Sequence, residues 1–204
     1  MIAIIDYGMG NLGSVKRKLN LIGVRSVITC DPEEIRNAEK LILPGVGHFG
    51  NAIREIKSRG LWDLLNREVL LEKKPILGIC LGMQLMAGHS EEGDVAGFGW
   101  FDAEVVRFNV QDTLKYKVPH MGWNQVLLKK PSLLFDQIIA GESFYFVHSY
   151  HLKCNKETDV LNETAYEYSF VSAIQKENIY GVQYHPEKSH EAGEKLLKNF
   201  VYNI

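Results

Sequence analysis

The 204-residue sequence has room for one domain of ordinary size and little more, and its 46% hydrophobic and 24% charged residues exclude a chain that is mainly disordered. The 23 Lys and Arg residues against 25 Asp and Glu leave a formal charge of −2. With no basic cluster beyond the pairs Lys73-Lys74 and Lys129-Lys130, the charge pattern argues against a nucleic-acid groove, which gathers Lys and Arg against phosphates.

In chain order, Ile2 to Ile5 reads as a buried strand, and Met1 to Asp6 lacks the charged leader and long apolar run of a signal peptide. Val15, Leu19 and Ile22 then share one helical face before Gly23. Val24 to Thr29 forms a second strand. Asp31-Pro32-Glu33-Glu34 predicts a helix start, with Asp as N-cap and Pro at the first helical position. Lys40 to Leu43 gives a third strand, stopped by Pro44-Gly45-Val46-Gly47, and helical patterns run from Ala52 to Leu71 with a break at Gly60. Pro75 to Ile79 is a fourth strand and Leu81 to Ala87 a helix directly after it. The apolar stretch from Pro75 to Gly88 is too short to span a bilayer, so the sequence predicts a cytoplasmic protein with no membrane segment.

From Gly97 the pattern changes. Ala103 to Phe108, Asn124 to Leu128, Ser143 to Ser149, Phe170 to Gln175 and Ile179 to Tyr184 read as strands with few helices between them. A last amphipathic helix carries Leu196, Leu197, Phe200 and Val201 on its apolar side. The whole predicts one α/β domain over residues 1–204, a largely parallel sheet flanked by helices with an added antiparallel or mixed strand region.

Gly8, Gly10 and Gly13 match G-x-G-x-x-G between the first strand and the first helix, and Asp31 lies near the end of strand two, as in a dinucleotide-binding fingerprint. Two features weigh against that reading. Asp6 and Tyr7 intervene between strand and glycine, and Asp31 is already employed as an N-cap. A tight turn with close backbone packing is the reading preferred here.

Cys30, Cys80 and Cys154 are far apart and contain no C-x-x-C pair, so neither a disulfide framework nor a metal site is indicated. Cys30 and Cys154 read as buried structural thiols. Cys80 stands in Gly78-Ile79-Cys80-Leu81-Gly82 at a strand-to-helix junction, the pattern of a nucleophile elbow, where flanking glycines let the turn be sharp. The helix start beside the sulfur favours the thiolate, and the Leu81 N–H is placed to hold an oxyanion. A thiol nucleophile needs a base with a group to orient it. Among seven histidines, His185 in His185-Pro186-Glu187 has the right context: proline turns the chain after the strand so that Glu187 can fold back on the imidazole. His48, His89, His120, His148, His151 and His190, each taken alone, read as packed or solvated residues.

Gly78 to Gln84 and Gln183 to Glu187 resemble the two signature segments of class I, triad-type glutamine amidotransferases. Asp6 to Leu12, Pro44 to Gly47, Pro119 to Asn124 and Phe146 to Tyr150 extend the resemblance, in order along the chain, to the glutaminase subunits of imidazole glycerol phosphate synthases. The resemblance implies the class I amidotransferase fold and hydrolysis of glutamine to glutamate and ammonia. It implies Cys80 as nucleophile, His185 as general base and acid, Glu187 as orienting carboxylate, and an oxyanion hole from Val46, Gly47 and Leu81. Gly47, Gln84, His148, Ser149 and Tyr150 match positions that hold glutamine. No cofactor is implied.

The family's ammonia is consumed by a separate (β/α)8-barrel cyclase that makes imidazole glycerol phosphate and AICAR in histidine biosynthesis, and a barrel of about 250 residues has no room in this chain. A heterodimer is therefore implied, and Asn11, Met121, Trp123 and Lys188 match positions near the subunit contact. Gly13 and His48 depart from the pattern of histidine-pathway members, which more often carry an arginine and a small residue there. Two alternatives stay open: a paralogous glutaminase feeding amidation of a bacterial surface sugar, and a stand-alone cysteine hydrolase of the same fold. A non-enzymatic binding protein fits less well, because all three triad positions are filled.

Overall fold

The computed structural model describes residues 1–139 and 141–204. Strand β1 (Ile2–Ile5) is buried along its length, as an unbroken apolar run with both faces covered must be. Helix α1 (Leu12–Leu21) buries Val15 and Leu19 and leads into β2 (Ser26–Thr29). Helix α2 (Pro32–Asn37) starts where the sequence predicts, the Asp31 carboxylate accepting from the Glu33 and Glu34 N–H groups at 2.8 and 3.0 Å. After β3 (Lys40–Gly45), His48 Nδ1 accepts from Gly50 N–H at 3.1 Å and caps α3 (Phe49–Ser58), so this helix begins three residues before the predicted Ala52. Gly60, at φ +68°, makes the break before α4 (Leu61–Asn66), which runs on as a wider helical turn over Arg67–Leu71. Strand β4 (Ile76–Cys80) passes directly into the single turn α5 (Leu81–Gln84). The helix predicted to reach Ala87 ends here because Ala87 already belongs to the next strand.

The second half supplies β5 (Ala87–Ser90), β6 (Val95–Ala96), β7 (Phe101–Arg107), β8 (His120–Gln125), β9 (Leu127–Leu128), β10 (Ser143–His148), β11 (Tyr150–Cys154), β12 (Val160–Ala165), β13 (Ser169–Lys176), β14 (Ile179–Val182) and the closing helix α6 (His190–Tyr202). The main sheet runs β2-β1-β3-β4-β14-β13-β11-β7-β5-β6, with β12 and β9 branching from β13. Pairings from β2 to β14 are parallel, while β14 with β13, β13 with β11 and β11 with β7 are antiparallel. The one predicted strand from Asn124 to Leu128 is two: β8 pairs with β10 in a separate antiparallel ribbon, and β9 joins β12. Strand β12 escapes a hydrophobic search because it buries Asn162 and Thr164, satisfied by Tyr184 and Ser172 hydroxyls.

Alternation along β1 places Ala3 and Ile5 in one core and Ile2 and Ile4 in the other. The first core is closed by Ile35, Phe49, Ile53 and Leu65 of α2, α3 and α4, the second by Val15, Leu19, Leu196 and Phe200 of α1 and α6. Between them β4 lies inside the parallel half, flanked by β3 and β14, and Cys80 emerges at its carboxyl end, where open α/β sheets place their ligands. Among the described residues no helix is long and apolar enough to cross a membrane.

Candidate active site

Cys80 has φ +54° and ψ −110°, a conformation that costs a non-glycine residue of order 1–3 kcal/mol and persists only where its surroundings enforce it. Its neighbours do so by close approach. A methyl group at Gly82 would overlap the Leu43 carbonyl of β3, and one at Gly78 would overlap Gly82, Met83 and Met86. The thiol is thereby held at the edge of a cavity of about 380 Å³, within the size range of small-molecule sites.

His185 and Glu187 follow β14 and are both buried, their side chains 2% and 1% exposed. The Pro186 turn brings them together as the sequence predicts: His185 Nδ1 donates to Glu187 Oε1 at 2.8 Å. Nε2 makes no hydrogen bond of normal geometry and is left to its charge partner, Cys80. Burial works against an imidazolium here, but Cys80 and then Glu187 outweigh it and push the His185 pKa up to about 10. The turn is itself held from below, since Ser189 Oγ donates to the His185 carbonyl at 2.6 Å and accepts from Tyr145 N–H at 3.0 Å.

Every residue the sequence assigned to the oxyanion hole or to glutamine lines the cavity: Val46, Gly47, Leu81, Gln84, His148, Ser149 and Tyr150. Gly47 sits at φ +106°, a backbone conformation that an L side chain rarely adopts. Leu81, as the first residue of α5, has an N–H with no partner inside its helix.

Two residues escaped the sequence reading. Glu92 brings a carboxylate into the cavity and accepts from Phe49 N–H at 2.8 Å. It comes from a turn with no pattern of its own, so nothing in the sequence flags it. Fully buried Gln183 donates to Cys80 Sγ at 3.5 Å and accepts from Gln84 Nε2 at 2.9 Å. Its signal was available: Gln183 lies two residues before His185 in an otherwise apolar run, where strand alternation puts both on one face.

The residues matched to a subunit contact are all exposed, with Met121 62% and Trp123 47% accessible. Trp123 packs edge-on to Tyr145, and the Lys188 ammonium lies over the same Tyr145 ring. Asn11 opens α1 without a side-chain cap bond. The N-terminal glycines form the tight, packed turn expected, Gly8 donating to Asp6 Oδ1 at 2.9 Å and Gly10 lying close to the Pro44 carbonyl. Of the departures, His48 caps α3, whereas Gly13 faces open space and the structure gives no reason for glycine there. Cys30 is exposed rather than buried, since it ends β2 at the sheet's outer edge. Cys154 is half-buried, and burial, then Asp159 and Asp102, push its thiol up to about 12, leaving it inert at neutral pH. Among the described residues no three His, Cys, Asp or Glu side chains are arranged to hold a metal ion.

Residues 3–204 match the family model described as glutamine amidotransferase class-I. The chain is 52% identical over 201 residues to imidazole glycerol phosphate synthase subunit HisH 2 of Methanococcus maripaludis, covering 98% of each. It is 48% identical over 206 residues to subunit HisH of Sulfurimonas denitrificans, covering 98% of this chain and 97% of that protein. Among solved structures, a glutamine amidotransferase crystal structure superposes with a TM-score of 0.75 at 15% identity, over 98% of this chain and 97% of the other. The PurLQS structure from Thermotoga maritima gives 0.74 at 15%, over 99% and 97%. At such identities the two superpositions speak for the fold alone.

Proposed function

The chain belongs to the class I glutamine amidotransferase family, and from that premise we propose that it is the glutaminase subunit of an imidazole glycerol phosphate synthase, working in the cytoplasm in histidine biosynthesis with a (β/α)8-barrel cyclase partner. One observation carries the chemistry: a strained elbow presents Cys80 in a cavity beside a buried histidine held in its charged form by Cys80 and Glu187.

In this reading Cys80 Sγ, as thiolate, adds to the side-chain amide carbon of glutamine, and the carbonyl oxygen takes up the negative charge. N–H groups of Leu81 and of the Val46-Gly47 turn stabilise it; each such donor is worth about 10²–10³ in rate, so the setting of a glycine-containing turn decides whether the site is active. His185 Nε2 passes its proton to the departing nitrogen, which leaves as ammonia with a thioester behind. Water then attacks the thioester, His185 takes the water's proton, and the collapsing intermediate returns Cys80 and releases glutamate. Glu187 keeps Nδ1 protonated and Nε2 directed at the reacting atoms. Glu92, the charged side chain of the cavity wall, is the counter-ion for the substrate's α-ammonium, while Gly47, Gln84 and the His148–Tyr150 segment hold the rest of glutamine. Asn11, Met121, Trp123 and Lys188 form the docking face for the barrel.

The test is Cys80→Ser in the reconstituted complex. Glutamine-dependent synthesis and glutamate release fall by at least about 10⁴-fold, as for loss of a triad nucleophile. Synthesis from added ammonia persists, because only ammonia generation uses this chain. Unchanged glutamine turnover in the variant overturns the assignment, and turnover of γ-glutamyl peptides without any partner would move it to a stand-alone hydrolase.

A further inference from the structure

His148 of the cavity wall and its partner His120 are buried to within a few per cent and pack with the Phe108 ring at centroid distances of 5.2 and 6.1 Å. The proposed chemistry uses neither imidazole, yet their hydrogen bonds leave little freedom. His148 Nδ1 lies 2.8 Å from the Tyr150 carbonyl oxygen, which can only accept, so Nδ1 carries the proton. Burial holds this ring neutral, so its Nε2 must accept. The partner of that nitrogen is His120 Nδ1 at 3.1 Å, which therefore donates, and the remaining nitrogen of His120 is left to accept from the Asn124 amide at 3.4 Å. One carbonyl thus dictates the tautomer of two rings. The same Tyr150 oxygen also accepts from Gln84 Nε2 at 2.9 Å, and Gln84 is tied through Gln183 to Cys80.

We infer that His120 and His148 are positioning residues, a tautomer-locked pair that fixes the Tyr150 carbonyl and, through the Gln84 amide it receives, the wall of the glutamine pocket. The inference rests on the glutaminase reading for the identity of the ligand. Without the His120 donor, the buried Nε2 of His148 is left with no partner, the ring is no longer held in place, and its Nδ1–H bond to the Tyr150 carbonyl weakens. The Tyr150 peptide then shifts away from Gln84.

Two measurements test this on the full chain. Nitrogen-15 NMR of the imidazoles in the unaltered protein reads the His148 tautomer directly: protonation on Nδ1 is expected, and protonation on Nε2 overturns the lock without any variant being needed. Glutamine affinity is then measured in the Cys80→Ser background, where substrate is not consumed. Adding His120→Leu, which removes the donor, weakens glutamine binding about tenfold, the upper range for one neutral hydrogen bond, and moves the His148 Nδ1–H signal as its bond to Tyr150 weakens. Adding His120→Asn, whose amide restores a donor near the Nδ1 position, returns affinity to within about twofold and restores the His148 Nδ1–H signal. A folded His120→Leu protein with unchanged affinity and an unmoved His148 Nδ1–H signal overturns the proposal while leaving the glutaminase reading intact. Failure of the Cys80→Ser protein itself to bind glutamine overturns the glutaminase reading instead, and with it the ligand assigned to this wall.

Discussion

Two groups of buried histidines lie within this molecule, and burial acts on both in the same direction. At His120 burial acts alone and lowers the pKa to about 4; at His148 the hydrogen bond to the Tyr150 carbonyl offsets burial only in part, and the pKa falls well below its ordinary value. At His185 burial is again the largest single influence, but Cys80 and Glu187 reverse the outcome and carry the imidazole to about 10. The charge on a buried imidazole is therefore decided by the anions within its reach rather than by its depth. At the carboxyl end of the parallel strands that arrangement makes the proton donor and acceptor of the proposed chemistry. In the antiparallel half it makes a neutral scaffold whose hydrogen bonds run in one direction.

The sharpest way to break this contrast is to remove one of the two groups that separate them. Glu187→Gln leaves shape nearly unchanged but removes a charge that raises His185, and puts an amide that can also donate where a carboxylate oxygen only accepts from Nδ1. Glutaminase turnover falls by up to about 10⁴-fold, the loss seen when a triad carboxylate becomes an amide. In the same variant the His185 titration, followed by NMR, moves down from about 10 toward the behaviour of His148. Retained turnover with an unmoved titration in a folded Glu187→Gln protein would show that Glu187 does not set the charge on His185.

A second, smaller effect tests the backbone that brings Cys80 to His185. Gly82→Ala puts a methyl group into the Leu43 carbonyl of the neighbouring strand, and backbone on both sides of the clash leaves nothing flexible to yield. Urea unfolding is expected to show a loss of about 3 kcal/mol, the upper end for overpacking, together with loss of glutaminase activity. Gly13→Ala is the control: no atom lies within 4 Å of the added carbon and the site is helical, so stability rises by up to about 1 kcal/mol. Equal effects at the two glycines would deny the elbow its special geometry.

How much of this was legible in the sequence follows from how local each signal is. The elbow and the His185-Pro186-Glu187 turn are written in consecutive residues, so the parts of the proposed triad could be named and the contact of His185 with Glu187 anticipated. Gln84 and Tyr150 gained meaning only through family resemblance, because the bond between them joins residues 66 positions apart. The β8–β10 ribbon hid for a different reason. Strand β8 points Met121 and Trp123 to solvent and His120 to the interior, the reverse of the pattern by which a half-buried strand is recognised. The same inversion exposes large apolar side chains where the barrel partner is proposed to dock, as contact surfaces do.

The smallest expected effect concerns stability, where the two histidine groups should pull in opposite directions along the pH axis. For His120 and His148 the folded-state pKa lies below the unfolded value near 6.5, so the unfolded chain takes up protons first. Their contribution is present above 6.5 and is lost as the pH falls from there toward about 4. For His185 the folded value is raised, so its contribution is complete below 6.5 and is lost as the pH climbs through about 10. Thermal melts should therefore show that His120→Asn, which removes one titrating ring but keeps its donor, suffers a smaller drop between pH 7 and 4.5 than the unaltered protein. The difference is expected to be a few degrees, since about 1 kcal/mol moves the midpoint by roughly 2–4 °C in a chain of this length. Cys80→Ser should give the mirror result, losing less than the unaltered protein between pH 7 and 10, because the sulfur that raises the His185 pKa is gone. Identical acid and alkaline losses in all three proteins would mean that neither group titrates as its surroundings dictate.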